Sequence, residues 1–186
     1  MPPKVKITKE ELLTTAVNLV RTSGHNALNA RNIAAILKCS TQPIFSNFAN
    51  MDDLKLAVIR EADTLSRKYI QKELEQGEYP PYKASGMAYI RFAKEEKELF
   101  KLLYMRDRSH ETFTADDDLS LEMETLIQNN TGIDKESSKL FHLESWAFVH
   151  GIATMMATGF LDLEWDLVSK MLTDCYQGLT QQYVKE

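Results

Sequence analysis

The chain is poor in several things, and each shortage excludes something. It has two cysteines in 186 residues, Cys39 and Cys175. They form no CxxC pair and no disulfide framework, which argues against a stapled secreted scaffold and for a reducing, cytoplasmic setting. No apolar run reaches the roughly 18 residues of a membrane span, and no segment near residue 1 reads as a signal peptide. Strand-like alternation persists nowhere, and no internal repeat is visible. Five prolines and seven glycines are too few for a low-complexity chain. His25, His110 and His142 are scattered without ligand spacing, so neither a metal nor another cofactor is expected. No nucleophile–base pair stands out, so the chain is not expected to be an enzyme.

What is present is apolar content and an uneven charge. Hydrophobic residues make up 44% of the chain, enough for a respectable core. The net charge is −5, but its distribution is lopsided. Residues 1–50 carry Lys4, Lys6, Lys9, Arg21, Arg31 and Lys38 against Glu10 and Glu11, a balance of +4 that leaves −9 for the remainder. A basic end suits a polyanion, and an acidic body suits something else. Chance clustering of a few lysines gives the same balance.

Helical periodicity runs through the chain. After a short basic arm, Thr8 with Glu11 forms a capping-box pattern for a first helix over about 9–22, stopped by Gly24. Asn29 caps a second, with Ile33, Ala34 and Leu37 facing inward. Lys38 and Cys39 make a corner. Ser40 is expected to cap a third helix ending near Asn47, with Pro43 in its first turn and Ile44 and Phe48 sharing the buried face. Its exposed face then carries Thr41, Gln42, Phe45, Ser46 and Asn47. Asn50 caps a fourth helix of about 36 Å, patterned by Leu54, Ala57, Val58, Ala62, Leu65, Tyr69, Ile70 and Leu74.

Tyr79-Pro80-Pro81 punctuates the chain before a fifth helix to about Lys94. A sixth holds Leu99, Phe100, Leu102, Leu103 and Met105, and residues 106–118 read as a polar loop. A seventh carries Leu119, Met123, Leu126 and Ile127. Two strong helices finish the chain, over about Asp134–Leu161 and Trp165–Tyr183. The first is apolar almost all round its second half, with small Ala147 and Gly151 allowing close approach. The second has a stripe at Val168, Met171, Leu172, Cys175, Tyr176, Leu179 and Tyr183. With little chain left to cover both, they are expected to pack on a second copy, at Met155, Met156 and that stripe. The expected fold is all-α with about nine helices.

The stretch Asn29–Phe48 is a helix pair joined by a tight corner. Such a pair can brace one helix on the DNA backbone and lay the second in the major groove. Short polar side chains suit base edges and phosphates, and Arg31 has the reach for either. An ordinary pair of packed helices with a polar exterior has the same pattern.

Residues 12–54 resemble the N-terminal domain of the TetR family of transcriptional regulators. The resemblance rests on Gly24, on Asn29 with Ile33-Ala34, on Cys39-Ser40, on Ile44-Phe45-Ser46-Asn47-Phe48 and on Asp52-Asp53-Leu54. It implies a homodimer that binds a palindromic operator in double-stranded DNA and responds to a small-molecule effector. It also implies a DNA-binding domain over 1–50 and a ligand-binding and dimerisation domain over 51–186. The implied DNA-contacting residues are Lys4, Lys6, Asn29, Arg31, Ser40, Thr41, Gln42, Pro43, Phe45, Ser46 and Asn47. Two positions depart from the family. Phe45 replaces a Tyr whose hydroxyl meets a phosphate, and Met51 replaces a Lys that neutralises one.

Trp146, His150 and Gly151 are similar to a WxxxHG arrangement in the ligand domain of some members. His150 is then either a ligand contact or a buried histidine bonded to one partner. Tyr69, Met87, Phe92, Phe100, Tyr104, Met105 and Met123 join them as expected lining for an apolar or aromatic effector, though any one methionine also serves as core filler. The rival reading is an all-α carrier or enzyme whose first helices only pack.

Overall fold

The computed structural model describes residues 7–107 and 118–184. The arm residues Lys4 and Lys6 lie outside them, as does most of the expected polar loop. Among the described residues the fold is all-α: α1 (Lys9–Ser23), α2 (Ala30–Ile36), α3 (Gln42–Asn47), α4 (Met51–Gln76), α5 (Pro81–Glu95), α6 (Lys97–Tyr104), α7 (Asp118–Thr131), α8 (Lys135–Ala157) and α9 (Trp165–Tyr183). A 3₁₀ turn, His25–Ala27, follows α1. No described helix is long and apolar enough to cross a membrane.

The chain packs as two units. Among the described residues the first comprises 7–66 and 96–106. It is organised on α1, whose inward residues Leu12, Ala16, Val17, Leu19 and Val20 are buried and meet α2, α3 and α6. The capping box forms as the spacing requires: Thr8 Oγ1 accepts from Glu11 N at 3.1 Å, and Glu11 Oε2 accepts from Thr8 N at 2.8 Å. Gly24 ends α1 at φ 77°, ψ 167°, a region open only to glycine. A Cβ there would also stand 3.0 Å from Glu98 Oε2, and the backbone strain alone costs a side chain about 1–3 kcal/mol. Arg21 Nε donates to Glu96 Oε2 at 2.7 Å, tying α1 to the start of α6. This unit continues past residue 50 into α4, to residue 66, and α6 returns to pack on α1.

Among the described residues the second unit comprises 67–95, 107 and 118–184. Here α5 lies along α8, which also meets α7 and α9. Its core includes Met87, Ile90, Phe92, Met123, Ile127, Phe141, Ile152 and Met156. Gly86 marks the tightest approach, since a Cβ there would meet Leu172 Cδ2 at 2.9 Å. Asp134 caps α8 by accepting from Glu136 N and Ser137 N. That helix stops at Ala157, four residues before the expected end, where Gly159 turns the chain at φ 71°.

The sequence pattern of α4 needs one correction. Its buried line is Leu54, Val58, Ala62, Ser66, Ile70 and Glu73. Leu65, Tyr69 and Leu74 are only half-buried. The line advances by four residues at a time and finally by three, and it carries two polar side chains inside.

Candidate functional site

The helix pair forms as the spacing predicts. Asn29 Oδ1 accepts from Asn32 N at 3.0 Å and its Nδ2 donates to Ala27 O at 3.2 Å. Asn29 is therefore committed to holding α2 in place. The corner is made by Lys38 at φ 52°, a left-handed conformation that closes the turn. Ile33, Ile44 and Phe48 are buried beneath it, and the Lys9 ammonium sits 4.9 Å from the centre of the Phe48 ring.

Ser40 does not cap α3. Thr41 occupies the cap position with φ −73° and ψ −11°, and no side chain caps the helix. The cause is local. A capping side chain needs an extended backbone and an amide at the second or third helical position, and Pro43 supplies no N–H at one of those.

The exposed face carries Gln42, Phe45 and Ser46, with Thr41, Pro43 and Asn47 half-buried. Ser46 Oγ donates to Gln42 O at 2.9 Å, leaving the hydroxyl lone pairs outward. Asn47 Nδ2 donates to Pro43 O at 2.8 Å. Gln42 and Ser46 can therefore meet a base edge as they stand, and Asn47 can do so only through its remaining amide hydrogen and its carbonyl. Arg31 is exposed on α2 and Phe45 is 50% exposed on α3. An exposed phenyl ring offers an apolar surface but no hydroxyl for a phosphate.

The expected effector residues divide between the two units. Phe100, Tyr104 and Met105 belong to the first unit. Phe100 is buried against Tyr104 at 5.1 Å, and the Tyr104 hydroxyl lies 3.3 Å from Ser66 Oγ. Met105 lies past the end of α6, 43% exposed. In the second unit Met87, Phe92 and Met123 are buried, and Tyr69 meets Phe92 edge-on at 5.4 Å. Trp146 lies apart from these buried side chains on α8. It is 42% exposed on the outer side of α8 and stacks on His150 at 5.0 Å. An open, mostly apolar depression of about 430 Å³ lies among Leu74, Pro81, Leu121, Glu122, Met123, Thr125 and Leu126.

Two tyrosine–histidine pairs fasten α5 to α8. The Tyr82 hydroxyl is 3.1 Å from His142 Nδ1, and the Tyr89 hydroxyl is 2.9 Å from His150 Nδ1. His150 Nε2 also lies 3.4 Å from Thr154 Oγ1. Burial lowers both imidazole pKa values and raises that of Tyr82. At neutral pH the phenol therefore keeps its proton beside a neutral ring, and the direction of each hydrogen bond follows the imidazole tautomer. The spacing alone carries a signal for these pairs: the tyrosines are seven apart on one helix and the histidines eight apart on another.

A pH dependence follows. A histidine whose folded pKa is depressed supports the fold fully above the ordinary value of 6.5, and this support declines as pH falls below it. Thermal unfolding temperature should drop between about pH 7 and pH 5.5, above the range of most carboxylates. His142→Gln, whose amide oxygen can still accept from Tyr82, should flatten the slope. An unchanged slope in that variant would show that His142 does not set it.

Sequence reasoning also missed Glu73 and Arg91. Glu73 is 2% exposed and Arg91 Nε donates to its Oε2 at 3.2 Å. The Arg91 guanidinium lies over the Trp165 ring at 4.4 Å, beside Lys94 at 5.2 Å.

The expected dimer residues fall largely on inward surfaces of the subunit. Met156, Val168 and Leu172 are buried within the subunit. Met155, Met171, Cys175, Tyr176 and Leu179 are half-buried on or beside the same inward surfaces. The stripe of α9 faces its own chain, where α5 and α8 cover it. Exposed apolar side chains line one face of α8, and Leu167 on α9 is 47% exposed as well. Leu140 is 47% exposed and Leu143 57%, and with Trp146 and Ala147 they fall opposite the buried Phe141, Ser145 and Ile152. Gly151 continues that surface, with open space beyond it.

Comparison with known proteins gives the chain a context. A sequence profile described as Tetracyclin repressor-like, C-terminal domain, matches residues 82–174, half of the chain. No curated protein matches it. A TetR-like transcriptional regulator from Rhodococcus sp. RHA1 aligns with a TM-score of 0.68 at 17% identity, over 95% of this chain and 96% of that one. A protein of unknown function from the same organism aligns over 100% of both chains, with a TM-score of 0.75 and 21% identity. The multidrug binding protein EbrR, complexed with imidazole, aligns with a TM-score of 0.58 at 17% identity, over 90% of this chain and 88% of that one. At such identities the structural likeness shows the fold alone.

Proposed function

Because this chain belongs to the TetR family of transcriptional regulators, we propose that it is an effector-controlled repressor that binds a palindromic operator as a homodimer. The observation that carries this reading is the α2–α3 pair, with its buried Ile33–Ile44–Phe48 support and its outward Gln42 and Ser46. Two such pairs in a dimer would read half-sites in successive major grooves, about one helical turn or more apart. The +4 balance of the first fifty residues favours the polyanion, and the −9 of the remainder keeps the body off it. Phe45 and Met51 make the hold on phosphate weaker than the family pattern implies.

The dimer reading rests on the bare α8 surface. Gly151 supports it, since a glycine inside a helix costs about 1 kcal/mol relative to alanine unless close packing requires it. The effector reading rests on the family and on the fold shared with a multidrug binding protein. A small molecule in the body would shift α4 and so alter the spacing of the two heads. Such coupling requires that the effector bind one spacing more tightly than the other.

Selection of genomic fragments on the purified protein tests the core of this. Enrichment of a palindromic sequence, lost as salt is raised, is the expected result. Recovery of no preferred sequence would favour instead a carrier whose first helices only pack.

A further inference from the structure

The corner of the helix pair holds a lysine where the backbone favours a glycine. Lys38 follows the last turn of α2 at φ 52°, and no other non-glycine among the described residues has a positive φ. Its N–H donates to Ala35 O at 3.3 Å, and that of Cys39 donates to Ala34 O at 3.0 Å. This pair of bonds closes the helix end, and the left-handed residue within it is usually glycine. A side chain in that conformation crowds its own backbone. Nothing in the local packing compensates. The Lys38 side chain is exposed, and its ammonium has no hydrogen-bond or ion-pair partner among the described residues. Strain of this kind is found chiefly where function requires it.

Two further observations say what the ammonium meets. No carboxylate occurs between Glu11 and Asp52, so the whole stretch that forms the corner lacks the opposite charge. Lys38 also stands four residues before Gln42, the first residue of α3. Four residues span at most about 14 Å, and the major groove is about 12 Å wide. With Gln42 at a base edge, the corner therefore lies beside a strand that bounds the groove. We propose that Lys38 binds a backbone phosphate of the operator there, one contact beyond those that the family resemblance implies. This rests on the regulator reading given above. The contact offsets one of the two that Phe45 and Met51 forgo. A lysine suits the task, because its ammonium is a compact point charge on a flexible stem and needs no fixed fork geometry.

Salt titration of DNA binding by the full chain, on the selected operator and on random DNA, tests the proposal with three variants. Lys38→Gln removes the charge and keeps the strain, Lys38→Gly removes both, and Lys38→Arg keeps both. In the first two, the plot of log affinity against log salt should lose about 0.9 from its slope per head. Affinity at 0.1 M salt should fall about three- to tenfold per head on both DNAs. Lys38→Arg should keep the wild-type slope. Lys38→Gly should meanwhile raise the thermal unfolding temperature by about 2–4 °C, which separates weaker binding from lost folding. An unchanged slope in Lys38→Gln and Lys38→Gly, or a loss confined to the selected operator, would overturn the proposal. So would a lower unfolding temperature in Lys38→Gly, because the lysine would then serve the end of α2. A wild type with no salt-dependent binding to any DNA counts against the regulator reading, whereas intact wild-type binding beside unchanged variants counts against Lys38 alone.

Discussion

Leu143→Glu is expected to leave a folded monomer and to lower operator affinity by about 10²- to 10⁴-fold. Leu143 is 57% exposed, so a glutamate there costs the subunit little. Its neighbours on that face, Leu140, Trp146 and Ala147, form an apolar surface with a closely approachable glycine at its edge. Two copies meeting across this face would bury the new carboxylate, its image and their lost hydration, a penalty of several kcal/mol per ion. Losing the dimer separates the two DNA-reading heads, and the second half-site then no longer benefits from the first. Sedimentation velocity and a gel shift on the selected operator read the two halves of the prediction. A variant that sediments as a dimer would move the interface elsewhere. A monomer with undiminished operator affinity would show that one head suffices.

The second large effect concerns Gln42. Gln42→Ala should weaken binding to the selected operator by about 1–3 kcal/mol and leave binding to random DNA nearly unchanged. Gln42 is the first residue of α3 and is exposed, so its amide can give and accept at one base edge. Asn47 is a less clean probe, because its amide already donates to Pro43 O and its loss would also disturb the helix. Arg31→Ala is the matching control. It should weaken binding to all sequences alike and reduce the salt slope by about one if the contact is to phosphate. An equal loss on random and selected DNA in Gln42→Ala would remove the base-reading role from this residue.

Much of the fold is legible in the order of residues along the chain. Helix caps at Thr8, Asn29 and Asn50 depend on residues within three positions of the cap, and all three accept a backbone amide as expected; Asp134 caps α8 in the same local way. The stops at Gly24, Gly77 and Gly132 fall at positive φ. The inward pairing of Ile44 with Phe48 follows from one helical turn. The Ser40 cap fails at the same short range, because two local preferences compete and the proline at position 43 prevails.

The candidate sites are legible only where they are local. Spacing gives the α2–α3 corner and its outward polar side chains, but it does not show the commitment of Asn29 and Asn47 to backbone carbonyls. The effector residues are chosen by type, and type does not say which helices meet. Phe100 and Tyr104 pack in the unit of α1, while Met87 and Phe92 pack in the unit of α8.

By itself, then, the sequence determined an all-α chain, the ends of most of its helices and a two-helix corner with a polar outer face. These depend on hydrogen bonds and periodicity within about one turn. Only the tertiary structure decided which faces are inside. The apolar stripe of α9 turned inward onto α5 and α8, and the α8 face beyond it was left bare. Glu73 was drawn inside because it stands one turn beyond Ile70 on the buried line of α4, and Arg91 waits on the neighbouring helix. An apolar face requires a cover, but its periodicity does not specify whether the cover is the chain's own or another's.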